Sequence, residues 1–320
     1  MIGIDVGGAN LKIVNGEGVR IHYCPLWENT PLTSLLAPYS SLHDETAAVV
    51  MSGELADCFS DKGKGISFIV NAVQKAFPDA RFYGTDGRFH DHAVPQLGAA
   101  NWLASADFLR ADYPDAVLLD IGSTTADIIP LGRFESLLGL SDLNRLQKGY
   151  LVYTGMLRGN VATLLQSVQV DKVKTAVSSE FFAAAADAHL VLGHITPSMY
   201  LCDTADKAEK TRFASLRRLA RVVCADLDEI GEENAAGIAQ QFWDIQRNLI
   251  ANKVRSVMEA SGSTRVLTAG IGAPLFAREL EGTDLSCNLG ERADALPAYA
   301  VRELALRDGI FSRLTGPGKR

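Results

Sequence analysis

Two aspartates in this chain sit where a carboxylate has chemistry to do. The chain opens with IGIDVGGANLKIV, and a later stretch, Leu118 to Leu131, reads LLDIGSTTADIIPL. Laid on one another at a single offset, Asp5 falls on Asp120, Gly7 on Gly122, Lys12 on Asp127, and Ile13-Val14 on Ile128-Ile129. Each copy is an apolar run ending in Asp, then Gly, then small or hydroxyl residues, then a second apolar run. That pattern predicts a tight hairpin whose tip exposes several backbone N–H groups, a nest that holds phosphate oxygens without side-chain bulk. Gly7, Gly8, Asn10, Gly122, Ser123, Thr124 and Thr125 are the candidate phosphate-binding positions. A carboxylate facing phosphate repels it unless a cation lies between, so Asp5 and Asp120 imply Mg²⁺ or a similar divalent ion, or a catalytic base. Lys12 supplies positive charge in the first copy.

A single DxGxx is an ordinary hairpin turn; two copies in one register, together with LTAGIGAP near the end of the chain, argue for a site. Other glycine motifs fail. No GxxxxGK[ST] occurs, and Gly270-Ile271-Gly272 lacks the third glycine of a dinucleotide fingerprint.

The elements that must position these turns follow from periodicity. Residues 2–6, 11–14 and 18–24 read as an antiparallel meander punctuated by Gly7-Gly8 and NGEG. AAVVM (47–51) and ARFYG (80–84) read as strands. Between them Ile66, Ile69, Val70, Val73 and Phe77 keep helical spacing up to Pro78. A helix is expected over 101–113, and the second hairpin starts near 116. Beyond it the chain is mostly helical, over 180–192, 211–227, 233–260 and 296–306, with a strand, glycine turn and helix in RVLTAGIGAPLF. The polar tail TGPGKR is expected to be disordered.

At 320 residues, 47% hydrophobic and 22% charged, the chain is ordinary for a soluble protein of two lobes. A net charge of −7 with dispersed basic residues argues against nucleic-acid partners and for small molecules. No apolar run approaches the roughly 18 residues of a membrane span. The five cysteines, odd in number and without a CxxC pair, read as reduced thiols of a cytoplasmic protein. A homo-oligomer is compatible with all of this.

With DVGGANLK as a first phosphate motif, DIGSTTAD as a second and TAGIGAP (Gly270, Gly272) as an adenosine motif, the chain resembles the acetate and sugar kinase, heat-shock chaperone and actin superfamily. Its second motif is similar to that of the hydantoinase and oxoprolinase branch. CPLW, MSGELAD, AANWLASA, VYTGMLR and CDTAD narrow the resemblance to methanofuran-biosynthesis enzymes labelled tetrahydromethanopterin-linked C1-transfer pathway proteins. The resemblance implies an α/β fold of two ribonuclease-H-like lobes about a central cleft. Residues 1–115 would form the first lobe, completed by the C-terminal helix, and 116–320 the second. It also implies condensation of an aminomethylfuran diphosphate with the phenol of γ-glutamyltyramine, forming an ether and releasing diphosphate. ATP or ADP remains an alternative ligand, for a kinase or amide-ring hydrolase, and a nucleotide-switched binding protein is a third class. Ser123, where the superfamily has a second glycine, Ala126, where it has a hydroxyl, and GIG in place of Gly-Gly all weaken the adenine pocket more than the diphosphate pocket.

Such a reaction needs a base for a phenol of pKa near ~10. Asp120 and Glu54 are the candidates; Glu54 is equally readable as the surface N-cap region of the next helix. VYTGMLR offers Tyr153, Thr154 and Arg158 to a substrate, with a surface ion pair as the other reading of Arg158. Asp127 is readable as an interlobe ion pair or a catalytic group, Asp203 and Asp206 as helix caps or ligands, Asn101-Trp102 as a contact for a ring or, for the Trp, as core, His90-Asp91-His92 as a metal-like cluster or a solvent-exposed stretch, and Lys62-Gly63-Lys64-Gly65 as a solvated loop or one that reaches the diphosphate.

Overall fold

The computed structural model describes residues 1–28, 30–40 and 46–311, so the predicted disorder of the tail lies outside the described residues. Six strands form the first sheet: β1 (Ile2–Val6), β2 (Asn10–Asn15), β3 (Gly18–Tyr23), β4 (Ala47–Met51), β5 (Arg81–Tyr83) and β6 (Phe89–His90). Their order is β3-β2-β1-β4-β5-β6. The meander β1-β2-β3 is antiparallel, β4 and β5 run parallel to β1, and β6 returns antiparallel.

The second sheet is built from β7 (Ala116–Ile121), β8 (Ala126–Pro130) and β9 (Leu151–Val152). After a separate hairpin, β10 (Ser167–Val170) and β11 (Val173–Ala176), it is completed by β12 (Arg265–Ala269) and β13 (Thr283–Asp284). Its order, β9-β8-β7-β12-β13, repeats the first with the same directions: antiparallel β7-β8-β9, then β12 and β13 parallel to β7. This is the ribonuclease-H-like arrangement twice over, and the register shows that the repeat in the sequence is a repeat in space. Asp5 pairs with Lys12 across β1-β2, and Asp120 pairs with Asp127 across β7-β8. Both hairpins close alike, Gly7 N–H donating to Asn10 O at 2.9 Å and Gly122 N–H to Thr125 O at 3.0 Å.

The inner faces of the two sheets meet helices Asn101–Leu109 and Leu296–Arg307 in one apolar core that runs from Ala48 and Val50 to Leu118, Ile129 and Leu267. The outer face of the first sheet is covered by helices Leu32–Ser40 and Lys62–Ala76. On the second, the long helix Leu227–Ser261 plays that part. The parallel strands β4, β7 and β12 are almost wholly buried, as strands covered on both faces must be.

Several expectations shift. The predicted 101–113 helix ends at Leu109, and 180–192 begins only at Ala185. The 233–260 helix starts earlier, capped by Asp226, but Gly231 at φ +75° breaks its first turn. Lys62 to Gly65 is no loop: Asp61 accepts from the N–H of Lys64 at 2.8 Å and starts a helix there.

The C-terminal helix reaches the site-bearing strand through one close approach. A Cβ added at Gly3 on β1 would lie 2.0 Å from the carbonyl oxygen of Ala298. Gly3→Ala must therefore push the helix off the sheet, and overpacking of this kind costs about 3 kcal/mol. Urea unfolding of Gly3→Ala beside wild type measures it; an unchanged midpoint would show that the helix seat is not rigid.

Candidate active site

Both hairpin tips open into a single cleft of about 610 Å³ between the sheets, within the roughly 300–1,000 Å³ common to small-molecule sites. Asp5, Gly7, Gly8, Asn10 and Lys12 line it from one sheet, and Asp120, Gly122, Ser123, Thr124 and Thr125 from the other. The strand-turn-helix after β12 contributes Gly270, Ile271, Ala273 and Pro274. Gly270 has φ +78°, and a Cβ there would meet Asp120 Oδ1 at 2.6 Å and Ile121 O at 2.5 Å. Only glycine lets this turn lie against the aspartate. Gly272 does not line the cleft; it presses on the Ile121 side chain from behind.

The electrostatics are concentrated on the two aspartates. Burial pushes Asp5 up to about 6 and Asp120 up to about 7; Lys12 opposes the rise at both, while Asp127 adds to it at both and Asp5 adds to it at Asp120. Asp5 Oδ1 is buried without a hydrogen-bond partner. An orphaned carboxylate oxygen beside a second raised carboxylate fits a divalent cation that keeps waters and takes its remaining ligands from phosphate. Among the described residues no three His, Cys, Asp or Glu side chains are grouped to hold a metal, so the fit rests on this pair. Lys12 Nζ donates to Asp294 O at 2.8 Å, which ties β2 to the loop before the C-terminal helix.

Asp127 occupies the place that Lys12 holds in the first hairpin, and its charge is answered by Arg145. The two form a close ion pair, Arg145 also donates to Asp142 Oδ1 at 2.8 Å, and its guanidinium lies 4.4 Å from the Trp102 ring centre. The ion pair is thus made within the second sheet's side of the molecule, and the reach to the other side is a stack on Trp102, itself buried as core.

Two candidates are displaced. Glu54 is 1% exposed and not part of the cleft lining, because the chain turns inward after β4 and Gly65 and Gly98 pack against it. It is neither a surface cap nor placed to take a proton from a substrate. Ser52, at the end of β4, is the residue of this segment that reaches the cleft. Thr154 is likewise buried off the cleft, its Oγ1 accepting from Gln246 Nε2 at 2.8 Å.

That bond belongs to a relay that holds the second hairpin. Gln246 Nε2 also donates to Gly155 O at 2.9 Å, so its Oε1 must accept from His189 Nε2 at 2.9 Å. Burial depresses His189 to about 3, so the ring is neutral and its Nδ1 accepts from His194 Nδ1 at 3.0 Å. Gly155 lies so close to the hairpin that a Cβ would meet Thr124 N at 2.6 Å. The N–H groups of Met156, Leu157 and Arg158 then donate to the carbonyls of Gly122 and Ser123 at 2.8–3.0 Å.

Tyr153 is 71% exposed at the cleft mouth. Arg158 lines the cleft and, instead of a surface ion pair, stacks on Trp27 at 4.4 Å. Elsewhere, Asp206 caps no helix but pairs with buried Arg218 and with Arg221, each at 3.1 Å. His92 is exposed, while His90 is partly buried and bonded to Asp86. Cys24 is buried, its thiol pushed up to about 11, and all five cysteines are unpaired. No described helix is long and apolar enough to cross a membrane. Asn101, Asp142, Arg145, Asp284 and Asp294 also line the cleft. Asn101 stands beside Trp102 in a stretch the sequence offers to a ring, but nothing in the local patterns of the other four marks them, since separate segments bring them there.

Two ribonuclease-H-like sheets that each lend a hairpin and an aspartate to one cleft define a two-lobed α/β protein of the actin-like ATPase fold. The chain belongs to the hydantoinase/oxoprolinase family, whose model matches residues 45–301, and it is an enzyme. It is 34% identical over 327 aligned residues to the (4-{4-[2-(gamma-L-glutamylamino)ethyl]phenoxymethyl}furan-2-yl)methanamine synthase of Methanocaldococcus jannaschii, covering 95% of this chain and 97% of that protein. The synthase of the same name from Methanococcus vannielii is 36% identical over 162 residues, 51% of this chain and 73% of that one. Among solved structures, a ROK family glucokinase from Streptomyces griseus aligns at 13% identity with a TM-score of 0.41, over 93% of this chain and 97% of that one.

The raised aspartates make stability depend on pH. A carboxyl whose folded pKa lies above its unfolded value, near ~4, contributes stability that is present below pH 4 and lost as pH rises through the folded value, here about 6 and about 7. In EDTA, wild type should therefore lose more stability between pH 5 and 8 than Asp120→Asn, read from denaturant midpoints; equal losses would contradict the raised pKa. Gln246→Leu leaves His189, Thr154 and Gly155 each short of a buried partner, and should cost about 3 kcal/mol in the same assay.

Proposed function

We propose that the chain makes an aryl ether in methanofuran-type cofactor biosynthesis, joining an aminomethylfuran diphosphate to the phenol of γ-glutamyltyramine. The observation that carries this reading is the pair of matched hairpins opposed across one cleft, each with its aspartate at the strand end. The synthases that the chain resembles make a product with such a phenoxymethyl link. Residues 1–115 with the C-terminal helix would form one lobe, and the remainder of 116–320 the other.

In the reaction the furfuryl C–O bond breaks and its electron pair leaves with the diphosphate. The phenol oxygen forms the new bond to that carbon and its proton passes to a base. The backbone tips at Gly7–Asn10 and Gly122–Thr125 hold the diphosphate oxygens, and Lys12 offsets charge developing on the leaving group. Asp5 and Asp120 would hold Mg²⁺, which would further stabilise that charge. With Glu54 off the cleft, Asp120 is the remaining candidate for a base, supported by a pKa near neutrality. Where Asp120 instead serves only the metal, the phenol's proton leaves through another cleft carboxylate, of which Asp142 is one.

The family description favours a second reading, ATP-dependent opening of a cyclic amide in the same cleft. Incubating the protein with Mg²⁺, an aminomethylfuran diphosphate and γ-glutamyltyramine, then seeking the ether by mass, separates the two. The ether should form without ATP, Asp120→Asn should slow it at least ~100-fold in a folded protein, and Mg²⁺ with pyrophosphate should raise the Tm more than Mg²⁺ with ATP. Stabilisation by ATP alone, with hydrolysis on adding a cyclic amide, would sink the ether reading.

A further inference from the structure

We propose that Arg158 is the specificity-determining residue for the second substrate, binding the α-carboxylate of an aromatic γ-glutamyl amide at the mouth of the cleft. The inference rests on the ether-forming reading and concerns the half of the cleft that the diphosphate does not fill.

The mouth differs in chemistry from the inner end. Tyr153 is 71% exposed, Ile21 39% and Leu201 37%, yet all three line the cleft, so its lining offers apolar side chains to an aryl ring. Single exposed apolar side chains need no explanation, but three on the lining of one cleft do. Arg158 stands on the same lining.

Its guanidinium is held ready and left open. Trp27, from the segment after β3, carries it at 4.4 Å from the ring centre, and its backbone N–H is fixed to Ser123 O at 2.8 Å. The other cations of the cleft are engaged, Arg145 by Asp127 and Asp142, and Lys12 by the Asp294 carbonyl. Arg158 has no ion pair with a described carboxylate. A planar guanidinium whose face is stacked keeps its edge free for a bidentate carboxylate, at little further loss of side-chain freedom.

A single guanidinium edge suits a single carboxylate. Tyr23 lies in the field of Arg158 and also of Asp203 and Glu28, so cation and carboxylates share one neighbourhood. The α-carboxylate of a γ-glutamyl group finds its complementary charge in Arg158 on the cleft lining, whereas Asp203 and Glu28 lie off that lining.

Calorimetric binding of γ-glutamyltyramine and of tyramine, which lacks the head group, tests the assignment. Wild type should prefer γ-glutamyltyramine at least ten-fold; Arg158→Met should abolish that preference, and Arg158→Lys, charged but unable to stack or fork, should retain only part of it. Circular dichroism checks that both variants are folded. Trp27→Leu, which leaves the cation but frees it, should fall between wild type and Arg158→Met. A preference that survives Arg158→Met overturns the proposal, as does a wild type with no preference, or an Arg158→Met whose defect lies in binding Mg²⁺-pyrophosphate. A wild type that shows the Arg158-dependent preference but forms no ether sustains the carboxylate site and overturns only the reaction.

Discussion

The cleft is organised around two carboxylates that are brought together against their mutual repulsion. Asp5 and Asp120 stand at the ends of the two central strands, buried enough that both hold their protons towards neutrality. Removing charge from water is costly, and placing two like charges at one site costs more. The fold meets that demand from every direction available. Lys12 sits across the strand from Asp5, the Gly270 turn is pressed on Asp120 without side-chain bulk, and the C-terminal helix locks β1 from behind. A loss in any of these supports loosens the spacing between the carboxylates.

The duplication explains both the symmetry of this arrangement and its one asymmetry. The two hairpins share register and closing bond, but the residue across from the aspartate is Lys12 in one and Asp127 in the other. In the first half Lys12 supplies the opposing charge. In the second, Asp127 would add to the negative charge, and Arg145 is recruited from a short capped helix to meet it. Because the same guanidinium rests on Trp102, the compensation also ties the second sheet to a helix of the shared core.

How much was legible follows from the range of each interaction. The hairpins, the meander and β12 are local patterns, and their register could be read because a copy was present for comparison. Glu54 and Ser52 show the limit: both follow the same strand, and which of them faces the cleft depends on an inward turn dictated by Gly65 and Gly98, far apart in the chain. The β10-β11 hairpin carries no local signal, because its turn is Asp171-Lys172, both at positive φ, with no glycine to announce it. Thr154 reads as a substrate contact in its own segment because its partner, Gln246, lies in the middle of a helix about ninety residues on. Asp142, Asp284 and Asp294 carry no spacing signal, since three separate segments bring them to one cleft.

The chain of bonds behind the second hairpin has a fixed polarity. Each member donates inward, from His194 to His189, to Gln246 and on to Thr154 and Gly155, and the carbonyl at the inner end forbids reversal. A proton arriving from solvent at the outer nitrogen of His194 alters none of these bonds, since Nδ1 goes on donating as before. The inner ring resists protonation down to about 3. The hairpin is thereby insulated: acidification changes the charge on the two aspartates without disturbing the backbone that frames them.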